Sequence, residues 1–315
     1  MTKVILPNEQ YLQKEFVESR IVRIMEPELE WMNFLPKVRT DSKAIWASRE
    51  KYSAESDPNA RAPRLRTAGS RFVQVTVANL EEISATVAPL GLEIRIDEDA
   101  VRFPEGIDMI NRAYTRAAYW MAKQINTEII YALVNGVYQE TVGDSFTGKT
   151  TGAWSEEGGS NARNPIEDLQ LLLQDFERDE YPYELTDVYI HKQNFGELLN
   201  YLVNLNVAQG EREAVFGVPD FKKRALHIPV LGINVHRVKG GLNEGSILGV
   251  DSRFSPATYY YGVNPKYPQA TENNLGFHIN KYVEDETHDT VFQMWTEYAI
   301  LVKEPYAGIY AAAGI

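Results

Sequence analysis

The chain contains no cysteine in its 315 residues. Disulfide bridges, thiolate zinc sites, iron–sulfur clusters and cysteine nucleophiles are therefore excluded, and stability has to come from packing and association. Long apolar runs are missing too, because the longest, such as residues 129–134, fall far short of the ~18 residues that a membrane-spanning helix needs. The N-terminus lacks the apolar stretch of ~7 residues or more that indicates a signal peptide. We therefore expect no membrane segment and no secretion by a signal peptide.

Positive charge is scarce, since 32 basic residues stand against 44 acidic ones and the formal net charge is -12. Proteins that bind nucleic acid tightly are usually basic, because neutralising phosphates supplies most of their affinity. Dedicated nucleic-acid binding is thus disfavoured. The charge is also uneven: residues 37–75 carry nine basic and four acidic side chains, a balance of +5 that leaves -17 for the rest. A basic segment on an acidic body is suited to bind another copy of that body.

Residues 54–64 contain two prolines and almost no large apolar side chain. Such a segment cannot bury enough surface on its own to offset the entropy of ordering it. Loops of this length are uncommon inside compact domains and are usually functional or disordered. Arg61, Arg64 and Arg66 lie close together in or beside this loop. Two interpretations stay open: a flexible solvated loop, or a segment that becomes ordered against another subunit.

Period-two alternation of apolar residues predicts strands in the next part of the chain, each with one solvent-facing side. The apolar positions are Val73, Val75 and Val77, then Ile83, Ala85 and Val87, and finally Leu92, Ile94 and Ile96. In the last of these strands Glu93, Arg95 and Asp97 face the other way.

A long helix is predicted after these strands. Apolar residues recur at steps of three and four over residues 107–133, and no proline interrupts them before the stop signal at Asn135 and Gly136. At 1.5 Å per residue the helix would be roughly 45 Å long, far longer than the ~11 residues of an average globular helix. Because sustained heptads are missing and strands come first, the pattern favours a helix laid across a sheet over a lone coiled coil.

Short helices and strands alternate beyond this helix. Asn164 is placed as a helix N-cap, with Pro165 at the first helical position and Glu167 at the third, which predicts a helix ending near Glu177. The remaining pattern predicts a helix over residues 194–205 and strands over residues 186–190, 228–235, 246–251 and 292–300.

Residues 143–150, GDSFTGKT, satisfy the P-loop pattern letter for letter, with Lys149 in the phosphate-binding position. That motif works only between a buried strand and a helix, where backbone N–H groups converge on phosphate. Residues 151–160 are rich in turn-forming residues and cannot supply the helix. Although residues 247–251 resemble a strand ending in a magnesium-binding aspartate, the context favours a surface turn over a nucleotide site.

No other pattern indicates catalysis. The five histidines are scattered without paired metal-ligand spacing, and the acidic run at residues 284–289 lacks the glycine and the spacing of a calcium loop, so a solvated turn is favoured. Nucleophile-elbow and dinucleotide-binding fingerprints are absent from the sequence. We therefore predict no catalytic, cofactor-binding or metal-binding residues, and no enzyme.

The order of the predicted elements resembles a known family. A basic polar arm, a valine-rich strand, the strand at residues 92–96 and one very long helix are similar, in that order, to the major capsid protein of tailed double-stranded DNA viruses, which has the Hong Kong 97-type fold. Residues 187–205, 231–251 and 302–307 resemble later parts of that fold. The resemblance covers roughly residues 71–307 and rests on order and spacing, with no single diagnostic motif.

The resemblance implies an α+β fold with five parts. These are an N-terminal arm in residues 1–46, an extended loop in residues 47–80, a peripheral domain with the spine helix in residues 81–137, an axial domain in residues 138–290, and a C-terminal strand returning to the body in residues 291–315.

The function implied by the resemblance is that of a structural subunit which self-assembles into hexamers and pentamers of an icosahedral viral capsid. The capsid would enclose double-stranded DNA without sequence-specific binding, in a virion assembled in the host cytoplasm. Portal, scaffold and decoration proteins are the other implied partners. Arg61, Arg64 and Arg66 are expected to contact the neighbouring subunit, because the planar guanidinium can pair bidentately with carboxylates.

Two alternatives stay open at this point. An encapsulin-like compartment shares the fold but holds enzymes in place of a genome, and a cargo-peptide groove under an N-terminal helix, here residues 9–20, would favour it. Pro36 and the polar loop resemble the viral members more closely. From a different class, a P-loop nucleotide-binding enzyme would rest on residues 143–150 and Lys149.

Overall fold

The structure is a computed structural model that describes residues 13–33, 35–50, 80–97, 99, 102, 106–139, 154, 164–177, 182–204, 219–220, 225–238, 240–262, 276–284 and 288–312. Its helices are α1 (Lys14–Met25), α2 (Gly106–Gly136), α3 (Pro165–Phe176) and α4 (Lys192–Asn204). Its strands are β1 (Lys37–Thr40), β2 (Ala44–Glu50), β3 (Leu80–Thr86), β4 (Ala88–Ile96), β5 (Tyr138–Gln139), β6 (Asp187–His191), β7 (Pro219–Asp220), β8 (Ala225–Ile228), β9 (Ile233–Val238), β10 (Ser246–Val250), β11 (Ala257–Gly262), β12 (Phe277–Val283), β13 (Thr290–Val302) and β14 (Gly308–Ala312). Within these ranges no helix is long and apolar enough to cross a membrane.

The larger core lies between a five-stranded sheet and the helices α1 and α2. The long strand β13 pairs antiparallel with β4, β11 and β12, and β1 lies parallel to β11. In β4, Ile94 and Ile96 are buried whereas Glu93 and Arg95 are exposed, which confirms the predicted alternation. The sheet thus combines strands from the N-terminal, middle and C-terminal parts of the chain.

Helix α2 spans 31 residues, about 45 Å at 1.5 Å per residue. Tyr114 on α2 meets Phe292 on β13 edge-on, with the ring centroids 6.2 Å apart, so the helix lies against the sheet. Its buried face repeats every three or four residues, which confirms the predicted helix and its period. The members of this face include Ile110, Tyr114, Ala117, Met121, Ile125, Ile129 and Leu133.

Helix α1 packs along α2 and continues into the same core. Its buried face consists of Val17, Ile21 and Met25. Beyond it, the side-chain amide of Asn126 on α2 donates a hydrogen bond to the backbone carbonyl of Glu28 at 2.6 Å. Trp31 is fully buried, and its ring centroid lies 4.8 Å from that of Tyr189 on β6. Residues 17–35, which the sequence division places in the N-terminal arm, therefore contribute to the main core of the same chain.

A second core lies on the other face of a seven-stranded sheet with the order β5-β14-β10-β6-β9-β8-β7. Every residue of β10 is buried, because Leu248 faces the first core and Ile247 faces the second. Helices α3 and α4 cover this second face. The cap predicted for α3 is confirmed, since Asn164 Oδ1 accepts hydrogen bonds from the backbone N–H groups of Ile166 and Glu167 at 3.0 and 3.4 Å.

The strand predicted over residues 228–235 is wrong in its extent. Strand β8 ends at Ile228, and β9 begins only at Ile233. Pro229 cannot donate to a strand ladder, and Gly232 has a φ of +70°, a left-handed conformation that glycine adopts without strain. The apolar run therefore folds into a hairpin. The other helices and strands predicted beyond residue 136 are confirmed to within a few residues.

Candidate functional surfaces

A two-stranded ribbon covers the side of the five-stranded sheet that faces away from α2. Strands β2 and β3 pair antiparallel, from Ala44 opposite Thr86 to Glu50 opposite Leu80. Alternation gives the ribbon an inner face and an outer face. The inner residues Ile45, Ala47, Ile83 and Ala85 pack on Tyr260, Ala299 and Leu301 of the sheet. A small third core therefore fixes the ribbon to the body of the chain.

The outer face of the ribbon carries Trp46, which is 71% exposed and lies opposite Ser84. Tryptophan is enriched among the side chains that dominate protein interfaces, because its ring buries a large area at a small entropic cost. Near the other end of the ribbon, Arg49 Nη2 lies 3.0 Å from Glu81 Oε2. Sequence reasoning missed Trp46, although a large apolar residue at an outward position of a strand was the available signal.

The three arginines singled out from the sequence, Arg61, Arg64 and Arg66, lie outside the described residues, as does the strand predicted around Val75. Strand β2 ends where residues 51–79 begin, and β3 begins at Leu80 just after them. The ribbon therefore leads the chain into and out of residues 51–79, which include the three arginines. Contacts of the arginines with a neighbouring subunit stay a prediction.

The P-loop-like residues 143–150, with Lys149, also lie outside the described residues. Asp251, the aspartate that the sequence offered as a magnesium ligand, is buried. Its carboxylate accepts hydrogen bonds from the Arg253 guanidinium at 2.9 and 3.1 Å and from the backbone N–H of Glu184 at 3.0 Å. Burial alone would raise the pKa of Asp251, but these donors lower it below its ordinary value. Both carboxylate oxygens thus serve to hold neighbouring loops together.

A second buried carboxylate, Asp187, lies at the start of β6. The Nε2 atom of His236 on β9 is 2.7 Å from Asp187 Oδ1, and the Thr186 hydroxyl donates to Oδ2 at 2.8 Å. Burial would raise the pKa of Asp187, but hydrogen bonds from His236, Thr186 and Ser252 outweigh it and lower the pKa to about 2. The His236 ring also stacks on Tyr189 at 4.8 Å. This cluster fixes β6 to β9 with an ionised carboxylate.

Only Glu284, His288 and Asp289 of the acidic run lie within the described residues, and the solvated turn expected over residues 284–289 stays a prediction. The backbone N–H of Glu284 donates to the carbonyl oxygen of Asp289 at 3.0 Å, and its Oε2 lies 2.9 Å from Arg95 Nη1. Among the described residues, no group of three or more histidine and carboxylate side chains has an arrangement that could hold a metal ion.

Large apolar side chains stand on the solvent face of α2. Met109, Trp120 and Tyr131 are 65%, 58% and 69% exposed. Tyr119 meets Trp120 edge-on, with centroids 6.4 Å apart. A surface helix ordinarily carries polar or charged residues on this side. The helical period predicted only the core face of α2 and not these residues, although their spacing of eleven is visible in the sequence.

Comparison with known proteins gives a likeness of structure without a likeness of sequence. No protein-family model matches the chain, and no curated protein matches its sequence. A virus-like particle protein from Pyrococcus furiosus superposes with a TM-score of 0.56 at 13% identity, over 95% of this chain and 98% of that one. The capsid protein of cyanophage P-SCSP1u gives 0.54 at 11% identity, over 89% and 86%. An encapsulin from Synechococcus elongatus gives 0.51 at 12% identity, over 93% and 89%.

These likenesses extend over nearly the whole chain, so they concern the complete architecture and not one motif. At such low identity they establish the fold alone. The predicted α+β class is confirmed, and the chain has the Hong Kong 97-type fold shared by viral capsid proteins and encapsulins.

Proposed function

We propose that this protein is the structural subunit of a tailed-virus capsid, which self-assembles into hexamers and pentamers of an icosahedral shell around double-stranded DNA. The observation that carries the proposal is the shared fold over 89% of the chain with a cyanophage capsid protein. The order of elements that suggested this family from sequence supports the same function independently.

The charge of the chain suits a container for DNA. With a net charge of -12, most of its surface would repel phosphate and leave a packaged genome loosely held. Shell closure needs several modest contacts per subunit, because linkage into a ring or shell raises the effective concentration at each remaining contact. The exposed Trp46 of the ribbon and the apolar solvent face of α2 are two surfaces available for such contacts.

The finer parts of the proposal rest on the family resemblance. We propose the five-part division given above, with residues 51–79 forming the tip of the extended loop that reaches a neighbouring subunit. Portal, scaffold and decoration proteins are the proposed partners besides other copies of the chain. The proposed location is the virion, after assembly in the host cytoplasm.

An encapsulin-like compartment is the less favoured alternative. Its fold is the same, and α1 does lie on α2, whereas residues 9–12 of the expected N-terminal helix lie outside the described residues. However, Val17, Ile21 and Met25 of α1 are buried against the body of the chain. The space under the helix is therefore filled by the chain's own side chains, where a cargo peptide would need a groove.

Electron microscopy and light scattering of the purified protein test the proposal. We expect rings of five or six subunits, or closed shells of several megadaltons, with a scaffold protein supplied if the chain alone stops at rings. A monomer that persists at high concentration under both conditions would contradict it. Shells that copurify with one host enzyme in a fixed ratio would instead favour the encapsulin alternative.

We propose no enzymatic role, and a nucleotide-binding measurement tests this separately. Because the residues after Thr150 are unsuited to a phosphate-binding helix, we expect the wild type to bind no ATP and Lys149→Ala to assemble normally. Calorimetry that detects magnesium-dependent ATP binding in the wild type, and its loss in Lys149→Ala, would support the P-loop alternative.

A further inference from the structure

The solvent face of α2 carries a straight row of large apolar residues. Met109, Trp120 and Tyr131 follow one another at intervals of eleven residues. Eleven residues make three helical turns plus about 20°, so the three side chains lie almost on one line along the helix. The row is about 33 Å long at 1.5 Å per residue. We call it the α2 ridge.

The α2 ridge is separate from the core face of the same helix. Single exposed apolar residues are normal on protein surfaces, but three aligned on one helix form a patch that calls for an explanation. Each of the three is more than half exposed, at 58–69%. Tyr119, also exposed, packs edge-on against Trp120 and widens the patch at its centre.

Basic side chains line one flank of the α2 ridge. Arg112, Arg116 and Lys123 lie about 40–80° to the same side of Trp120 around the helix, and all three are exposed. The Lys123 ammonium is 5.1 Å from the centroid of the Trp120 ring. Within the described ranges no ion pair joins these three cations to a carboxylate. On a chain with a net charge of -12, this flank attracts an acidic partner.

A shallow cavity opens on the same flank. Its lining includes Glu28, Lys123, Thr127 and the backbone of Gly240 and Gly241. Gly241 has a φ of +95°, and a side chain at this position would collide with the buried Ile130 of α2, so glycine lets this loop lie close to the helix beside the cavity. The cavity is a recess beside the α2 ridge that can accept one side chain of a bound partner.

We infer that the α2 ridge is the docking surface for an acidic amphipathic helix of another protein. Such a helix presents apolar residues at intervals of three, four and seven, which match an apolar row of this length, and its acidic edge would face Arg112, Arg116 and Lys123. The inference rests on the proposed function in one respect, since the protein that supplies the acidic helix is taken to be an assembly partner of the shell.

Two other occupants fit the α2 ridge less well. Duplex DNA would engage three cations spread over about 17 Å and gain little from the apolar row, because its outer surface is phosphate. A second copy of the same ridge, packed antiparallel, would place the two basic flanks against each other, which is unfavourable. An acidic helix satisfies both the apolar and the basic part of the surface.

Peptide binding to the full chain tests the inference. The probe is a synthetic helix of about 22 residues, which spans ~33 Å, with leucines along one face and glutamates along one edge of it. The matched probe carries lysines in place of the glutamates. We expect the glutamate peptide to bind the wild type about tenfold more tightly or better, as measured by fluorescence anisotropy. Trp120→Ser with Tyr131→Ser, and separately Arg112→Ser with Arg116→Ser, should each weaken it about tenfold or more.

The control variant is Phe254→Ser, which removes an aromatic residue that is 49% exposed elsewhere on the surface and should leave binding unchanged. Melting curves check that every variant is folded. Equal binding of the two peptides, or binding that the ridge variants do not weaken, would overturn the inference. Displacement of the peptide by duplex DNA at equal charge would point to nucleic acid, and a wild-type dimer that the ridge variants abolish would point to a second copy.

Shell formation is measured on the same variants by electron microscopy. The peptide result decides the inference whether or not shells form, whereas absence of shells from the wild type, with and without scaffold, bears only on the proposed function. The two can therefore fail independently.

Discussion

At the scale of single residues, Asp187 shows how a buried charge is retained in this fold. Its carboxylate is held by His236 at 2.7 Å and by the Thr186 hydroxyl at 2.8 Å, and the ring of His236 stacks on Tyr189. Tyr189 in turn contacts Trp31, which comes from the N-terminal part of the chain. The cluster therefore links the seven-stranded sheet to the segment that follows α1.

We expect Asp187→Asn to lower the free energy of unfolding by about 2 kcal/mol at pH 7, because the folded-state pKa of about 2 lies below the ordinary value of 3.8. A depressed carboxyl pKa stabilises the fold above pH 3.8, and this stabilisation is lost as the pH falls through about 2. Urea unfolding at pH 7 and at pH 3 measures the difference, which should shrink at the lower pH. The exposed Asp99→Asn is the control, and a difference independent of pH would contradict the assignment.

At the scale of elements, the strands and helices that could be predicted from the sequence are those with one buried and one solvent-facing side. Strand β4 and helix α2 were found from their periods because solvent demands polar residues on one side. Strand β11 has no such period, since Tyr259 faces the main core and Tyr260 lies under the ribbon. Its parallel pairing with β1 joins segments about 220 residues apart, and nothing local encodes such a contact.

The candidate surfaces were harder to predict than the fold. The exposed Trp46 and the residues of the α2 ridge contradict the rule that apolar side chains face inward. Hydrophobic periodicity therefore does not predict them as surface residues. Arg61 was visible from composition because it lies in a segment with almost no large apolar residue. Candidate assembly surfaces are thus detected where a local pattern is broken, and only a fold shows whether the exceptional residue is exposed.

The ribbon carries a prediction of its own. Trp46→Ser removes an exposed ring, so we expect the melting temperature to stay close to that of the wild type. Assembly should fall severalfold or more, because loss of an aromatic anchor commonly costs ~2 kcal/mol per contact. Particle yield by sedimentation measures this. Ser48→Ala, on the same face, is the matched control and should change neither property, whereas unchanged yield from Trp46→Ser would show that this face is free in the shell.

Two turns allow the effect of backbone conformation to be separated from that of packing. Gly232 and Gly241 both have positive φ, but only at Gly241 would a new Cβ collide with a neighbouring side chain, that of Ile130. We expect Gly232→Ala to destabilise the fold by about 1–2 kcal/mol from strain alone. Gly241→Ala should cost about 1–3 kcal/mol more, since it pushes the loop away from α2. Chemical denaturation of the two variants gives the comparison, and equal losses would contradict the proposed contact.

At the scale of the whole molecule, the two main cores share one sheet and leave little of the described chain free to move independently. Leu248 and Val250 on β10 belong to the first core, while Ile247, which precedes them on the same strand, belongs to the second. The described body is therefore one packed unit, and residues 37–75 carry a charge of +5 against -17 for the rest of the chain. A unit of this kind can associate head to tail with identical units, each pairing its basic segment with the acidic body of the next.

The triple variant Arg61→Glu, Arg64→Glu, Arg66→Glu tests this head-to-tail pairing of subunits. An exposed ion pair is worth only ~0–1 kcal/mol and is screened by salt, so the melting temperature should barely change. Repeated around a ring, the same small contribution decides whether rings form, and we expect assembly to be blocked or misdirected. High salt should weaken wild-type assembly in the same direction.

The matched control for this variant is Arg20→Glu, Arg23→Glu, Lys192→Glu, which replaces three exposed basic residues. Because each exchange changes the charge by -2, both triple variants take the net charge from -12 to -18. If total charge governed assembly, both variants would fail alike; if position governs it, only the loop variant fails. Melting temperature and particle yield are compared for both. Normal shells from the loop variant would mean that these arginines are merely solvated, and a collapsed melting temperature would mean that they stabilise the fold within one subunit.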